Sequence, residues 1–192
     1  MNTAYWNSRY ANNETGWDIG APSKPLIHLF KQIKDKNLKI LIPGCGNAYE
    51  ANYLYQKGFR NVFIMDIAKE PLKTFKERNT NFTTEQVIHE DFFKHQGQYD
   101  IIVEQTFFCA IHPEMRQDYV KKCHELLKNK GKLIGVLFDR EFEGGPPFGG
   151  NKNEYLQLFK THFPKVEIQH CIHSIKPRAG SEIIITCDKT IS

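Results

Sequence analysis

Short apolar runs alternate with amphipathic stretches along most of the chain. Ile40-Leu41-Ile42, Val62-Phe63-Ile64-Met65 and Ile101-Ile102-Val103 are too short for buried helices and are β-branched or aromatic in large part, so they predict strands buried on both faces. With their flanks, these and similar runs place strands at about 38–43, 61–66, 84–89, 99–104 and 132–138. Between them the apolar positions recur at helical spacing. The first helix has Ser23 as its N-cap, Pro25 in its first turn and Leu26, Ile27, Leu29, Phe30 and Ile33 on one face. Further helices are predicted at 47–57, ended by Gly58, at 69–79, with Pro71 near its start, and after Pro113, where Met115, Tyr119, Val120, Cys123, Leu126 and Leu127 share a face and Gly131 lies just beyond. A last helix covers about 152–162.

Strand-helix alternation of this kind implies an α/β fold, a doubly wound and mostly parallel sheet with helices on both faces. The two closing runs, Val166 to Ile175 and Glu182 to Cys187, are joined only by Lys176-Pro177-Arg178-Ala179-Gly180. So short a connection joins antiparallel neighbours, giving seven strands with an antiparallel last strand. The segment from Asp139 to Asn151 contains Gly144-Gly145-Pro146-Pro147-Phe148-Gly149-Gly150 and is a loop. It follows the C-terminal end of a strand, the edge at which such sheets bind ligands.

At 192 residues the chain fits a single domain spanning 1–192, with residues 1–35 an N-terminal arm and helix. The 26 basic and 22 acidic residues leave a net charge of +4, but they are interspersed, which argues against a nucleic-acid partner. Met1 to Tyr10 lacks the apolar core of a signal peptide, and no apolar stretch is long enough to span a membrane. A cytoplasmic monomer acting on a small molecule is expected. The five cysteines, Cys45, Cys109, Cys123, Cys171 and Cys187, are scattered and odd in number, as expected of reduced thiols. Cys109 with His112, and His170 with His173, lack the second ligand pair of a zinc site and are read as packing residues.

The candidate chemistry centres on Ile40 to Glu50, a strand entering a helix through Gly44-Cys45-Gly46. Two glycines permit the sharp bend and let a ligand approach the backbone. Asp66 closes the next strand twenty residues beyond Gly46, where an acid suits the hydroxyls of a ribose. The third glycine of a dinucleotide fingerprint is replaced by Tyr49, which disfavours the pyrophosphate of NAD. S-adenosylmethionine, with a ribose and adenine but no phosphate, fits better.

Four blocks in order carry a resemblance: Gly16-Trp17-Asp18-Ile19-Gly20, Pro43-Gly44-Cys45-Gly46, Thr106-Phe107-Phe108-Cys109-Ala110-Ile111 and Gly145-Pro146-Pro147-Phe148. Together they resemble the plant-type halide/thiol methyltransferases of the class I S-adenosylmethionine-dependent enzymes, with a looser version in the thiopurine methyltransferase family. The resemblance implies an aromatic arm of Trp6, Tyr10 and Trp17 closing over the cofactor, with Tyr10 replacing a tryptophan of the plant enzymes. It further implies Gly44 at the methionine part, Asp66 at the ribose, and Asp91 and Phe92 at the adenine. Gln105, also an expected cofactor contact, stands where the families carry a tyrosine or arginine near the methyl group. Most class I enzymes have an acid at the position of Ile42, which the thiol-type branch typically lacks.

Methyl transfer from a sulfonium is an in-line displacement that needs positioning and exclusion of water. Gln105 and Phe107 are the expected catalytic residues, with Phe107, Phe108, Trp17 and Phe148 as apolar walls. A thiol is already partly ionised at neutral pH, so no strong general base is required; Glu104 and His112 are candidate proton acceptors. Arg178 attracts an acidic substrate or is a solvated surface residue, the second reading being favoured. The residues after the fourth strand, Glu104-Gln105-Thr106-Phe107, do not form an amino-methyltransferase tetrad. The expected acceptor is therefore a small soft nucleophile, with nucleic-acid methylation or non-catalytic cofactor binding as alternatives. The Trp6–Trp17 arm and the Glu143–Gly150 loop are expected to be mobile lids.

Overall fold

The computed structural model describes residues 2–190; Met1 and residues 191–192, which the predicted 1–192 domain includes, lie outside them. Helices α1 (Thr3–Ala11) and α2 (Lys24–Phe30) precede β1 (Ile40–Pro43), α3 (Tyr49–Gln56), β2 (Val62–Asp66), α4 (Lys69–Arg78), β3 (Val87–His89) and β4 (Tyr99–Gln105). Then come α5 (Arg116–Leu126), β5 (Leu127–Phe138), α6 (Lys152–Lys160), β6 (Lys165–His170) and β7 (Glu182–Asp188). The sheet order is β3-β2-β1-β4-β5-β7-β6. β7 runs antiparallel to both β5 and β6, and the other pairings are parallel.

Strand periodicity divides the core in two. Ile40 and Ile42 face a cluster with Leu26 and Phe30 of α2, Leu54 of α3 and Phe75 of α4. Leu41 points the other way, towards Tyr119 and Cys123 of α5 and Phe159 of α6. β1 and β4 are hydrogen-bonded neighbours although β2 and β3 separate them in sequence. The strand order reverses there, and the crevice at their C-terminal ends is the ligand position of such sheets.

Several boundaries differ from the sequence expectation. The N-terminal arm contains helix α1, capped by the Asn2 side chain accepting from Tyr5 N at 3.1 Å. Residues 84–86 form a 3₁₀ turn with a Thr83/Gln86 capping box, leaving only Val87–His89 as strand. Gly131 lies inside β5, which already begins at Leu127. A side chain there would lie 2.9 Å from Lys128 O and 3.1 Å from Tyr99 O, and the glycine sits where the β4–β5 register slips. β6 stops at His170, because the chain then turns to bury Cys171 and passes through a 3₁₀ turn at Lys176–Arg178.

Candidate active site

Beyond Pro43 the chain reverses through Gly44 and Gly46, with φ of 56° and 51°, left-handed values that glycine adopts without strain. Cys45 N donates to Met65 O at 3.0 Å, fixing the turn to β2. Asp66, buried at the end of β2, accepts from Gly46 N at 2.9 Å and from Ala68 N at 2.8 Å. Burial pushes its carboxyl above the ordinary value, although these backbone donors pull the other way. Ala48, also left-handed at φ 51°, donates its N–H to Cys45 O at 2.9 Å. Tyr49, in place of a third glycine, is turned to Asp18, its hydroxyl 3.3 Å from Oδ2.

A cavity of about 480 Å³ opens over this turn, within the usual range of ligand sites. Trp6, Tyr10 and Trp17 border it. Their rings meet edge to face, Trp6–Trp17 at 5.5 Å and Tyr10–Trp17 at 5.7 Å between centroids. Tyr10 places its hydroxyl within 2.9 Å of where a Gly46 Cβ would lie, and burial raises its pKa. Gly44, Asp66, Asp91 and Phe92 border the same cavity. Asp91 Oδ1 accepts from Phe93 N at 3.0 Å. The Phe92 ring stands 5.3 Å from that of Phe107.

Gln105 and Phe107 complete the set brought together from the sequence. The Phe107 ring lies so close over Gly44 that a Cβ there would sit 2.5 Å from its Cγ. Gln105 Oε1 is buried without a hydrogen-bond partner, an acceptor left for a ligand donor. The two-glycine turn, the buried acid closing β2 and this orphaned oxygen border one cavity, a set that fits a nucleoside cofactor carrying an amino-acid tail.

Other expectations are corrected. Phe108 is buried in the core and Phe148 packs against His112 outside the cavity; Phe138, Phe142, Pro146 and Pro147 form the far wall instead. Glu104 is 1% exposed and turned away from the cavity, which rules it out as a proton acceptor for substrate; His112 does border the cavity. Arg178 is not a solvated surface residue. Its guanidinium borders the cavity, donates to Trp17 O at 2.9 Å and pairs with Glu182 at 3.6 Å. The C-terminal part of the glycine-rich loop is anchored, Phe148 N donating to Cys109 O at 2.7 Å and Arg116 to Gly149 O at 2.7 Å.

Sequence reasoning missed Glu50, which borders the cavity and accepts from Ser23 N at 2.8 Å. Burial raises its pKa. The buried face of α3 holds Glu50, Ala51 and Leu54, so helical periodicity anchored on Leu54 was the available clue.

Residues 1–185 match the family described as thiopurine S-methyltransferase. The chain belongs to this family. Among its relatives, a probable thiol methyltransferase 2 of Arabidopsis thaliana is 29% identical over 184 residues, covering 92% of this chain and 81% of that protein. A thiopurine S-methyltransferase of Photobacterium profundum is 25% identical over 178 residues, with 83% of each covered. In fold the family member is similar to the 1,6-didemethyltoxoflavin-N1-methyltransferase of Burkholderia thailandensis, solved with S-adenosylhomocysteine, at a TM-score of 0.73, with 18% identity and 98% of this chain and 87% of that one covered.

Proposed function

We propose that the protein is an S-adenosylmethionine-dependent methyltransferase acting on a small soft nucleophile, such as a thiol, sulfide, halide or thiopurine-like compound. The observation that carries this reading is the apolar lining of the cavity, where the Phe107 ring lies over the Gly44 turn and Phe138, Phe142 and Pro146 border the same space. When bound, the cofactor supplies an electrophilic methyl group on a sulfonium. An anionic acceptor stripped of water by these walls is more reactive towards such a centre than in solution.

Asp66 accepts from the ribose hydroxyls, and Asp91 and Phe92 hold the adenine. The Gly44 turn meets the methionine part, and Trp6, Tyr10 and Trp17 exclude water from the cavity. Gln105, whose Oε1 is unpaired, stands at the reacting end, and Phe107 presses the acceptor against the cofactor. No side chain is required to remove a proton from a thiol that is already ionised. The likeness to the thiol methyltransferase and to the thiopurine enzymes supports the acceptor class. Among the described residues no helix is long and apolar enough to cross a membrane. We read the enzyme as one domain, working as a cytoplasmic monomer with its thiols reduced.

The test is a labelled-methyl transfer screen over halides, sulfide, aliphatic and aromatic thiols, thiopurines, catechols and RNA, with calorimetry of S-adenosylhomocysteine and NAD. Transfer to soft nucleophiles and binding of S-adenosylhomocysteine are expected. Transfer to RNA alone would overturn the acceptor class, and binding of NAD in place of S-adenosylhomocysteine would overturn the cofactor.

A further inference from the structure

The last turn of chain before the reacting end is organised by a carboxylate that never reaches the cavity. Glu104 Oε1 accepts from the successive N–H groups of Phe107 and Phe108, both at 2.9 Å. Its Oε2 accepts from the Tyr119 hydroxyl at 2.5 Å. Inside the loop so formed, Thr106 has φ of 58°, a left-handed conformation that a β-branched residue adopts only when its surroundings impose it. The neighbouring strand approaches the Glu104 backbone closely. Gly135 pairs with Glu104 in register, and a Cβ at Gly135 would stand 2.6 Å from Glu104 O and 2.9 Å from its Cα.

We propose that Glu104 is a positioning residue for methyl transfer: by gathering the Phe107 and Phe108 N–H groups and the Tyr119 hydroxyl, it holds Gln105 and the Phe107 ring in register with the Gly44 turn. The inference rests on the function proposed above. Glu104 touches neither acceptor nor cofactor, so its effect passes through the 105–108 backbone.

The charge of this group depends on pH. Burial pushes its pKa up to about 7, while the Tyr119 and backbone hydrogen bonds lower it. Tyr119 and Cys123 face it from α5, Cys109 from the adjoining loop, Tyr155 from α6 and Glu182 from β7. The nearby guanidiniums, Arg116 and Arg178, bond elsewhere, to Glu154 and Gly149 O and to Glu182 and Trp17 O. Protonation removes the negative charge to which three donors point and converts one acceptor oxygen into a donor. The loop therefore loosens as pH falls through neutrality.

Iodide stays anionic at every working pH, so with saturating S-adenosylmethionine any ionisation in the rate of iodide methylation belongs to the enzyme. The wild-type rate is expected to rise with pH along a limb centred near 7. Glu104→Gln should lose that limb and run about 10- to 100-fold slower at pH 8, while its S-adenosylhomocysteine Kd stays within about twofold of wild type. Asp66 and Glu50 are also raised, but they are present in both proteins and cancel in the comparison. Tyr119→Phe keeps the carboxylate and removes one donor, so its limb should move to higher pH. A Glu104→Gln enzyme with the wild-type limb and rate would overturn the proposal, as would a limb unmoved in Tyr119→Phe or a Kd weakened in step with the rate. Amide hydrogen exchange at residues 106–109 should be faster in Glu104→Gln, a readout that needs no turnover. If wild type methylates no soft anion, the acceptor class fails, while exchange and Kd still decide the role of Glu104.

Discussion

Replacing Glu104 by glutamine removes one ionisation, so the pH-dependent part of its effect on stability is calculable. In the unfolded chain the carboxyl titrates near its ordinary value of 4.5; in the fold burial holds it near 7. Between those values the native state keeps a proton that the unfolded state has lost. Stability falls as pH rises through this window, and the contribution levels off above 7. The difference of 7 − 4.5 = 2.5 pH units corresponds to about 3 kcal/mol in all. The part realised between pH 5 and pH 8 is about 2–3 kcal/mol. Urea unfolding of wild type and Glu104→Gln across that range measures it directly, because every other titrating group is common to both. Relative to wild type, the glutamine variant should gain about 2–3 kcal/mol between pH 5 and pH 8. Parallel stability curves would refute the reasoning by showing that Glu104 ionises alike in both states. The same window that should raise activity therefore lowers stability.

Asp66→Ala should weaken S-adenosylhomocysteine binding by about 1.5–3 kcal/mol, the worth of charge-assisted hydrogen bonds; unchanged affinity by calorimetry in a folded variant would remove the ribose assignment. Gly44→Ala combines φ of 56° with a Cβ driven into the Phe107 ring, so it should lose about 1–2 kcal/mol to backbone strain alone and bind cofactor more weakly. Adding Phe107→Ala should restore part of the loss, and strictly additive urea midpoints would show that the ring does not crowd the turn. Arg178→Ala leaves the buried Glu182 carboxylate unpaired and frees Trp17 O, so a destabilisation of about 3 kcal/mol is expected. Hydrogen exchange in the arm should quicken at the same time, and exchange unchanged at residues 6–18 would dissociate Arg178 from arm closure.

Strand positions were legible where apolar runs were continuous, as at Ile40–Ile42 and Ile101–Val103, because burial on both faces leaves no other use for them. The edges were not. Gly131 has the appearance of a helix stop, yet its role is set by the carbonyls of Lys128 and Tyr99 across a register slip, contacts invisible to local pattern. At the site, Gly44 and Asp66 stood out because a glycine turn and an acid closing the next strand lie at a fixed spacing, whereas the arm aromatics came from the family resemblance alone; the fold brings all of them to one cavity. Glu104 and Arg178 were misjudged for the opposite reason. Their roles depend on what lies opposite them, Gly135 and Tyr119 in one case and Trp17 and Glu182 in the other. Phe107 and Phe108 are adjacent and alike in sequence, and only the turn pinned by Glu104 sends one ring to the cavity and the other to the core.

The chain has two tryptophans, Trp6 and Trp17, and both belong to the edge-to-face cluster bordering the cavity. Intrinsic emission excited at the red edge of the indole band consequently comes from the arm and from nowhere else in the molecule. Helix α1 has no buried residue of its own, so its environment is set by what lies beneath it. The protein carries a built-in optical probe of the arm: stopped-flow fluorescence reads, without a label and in the unmodified protein, whether the arm moves when a ligand enters the cavity.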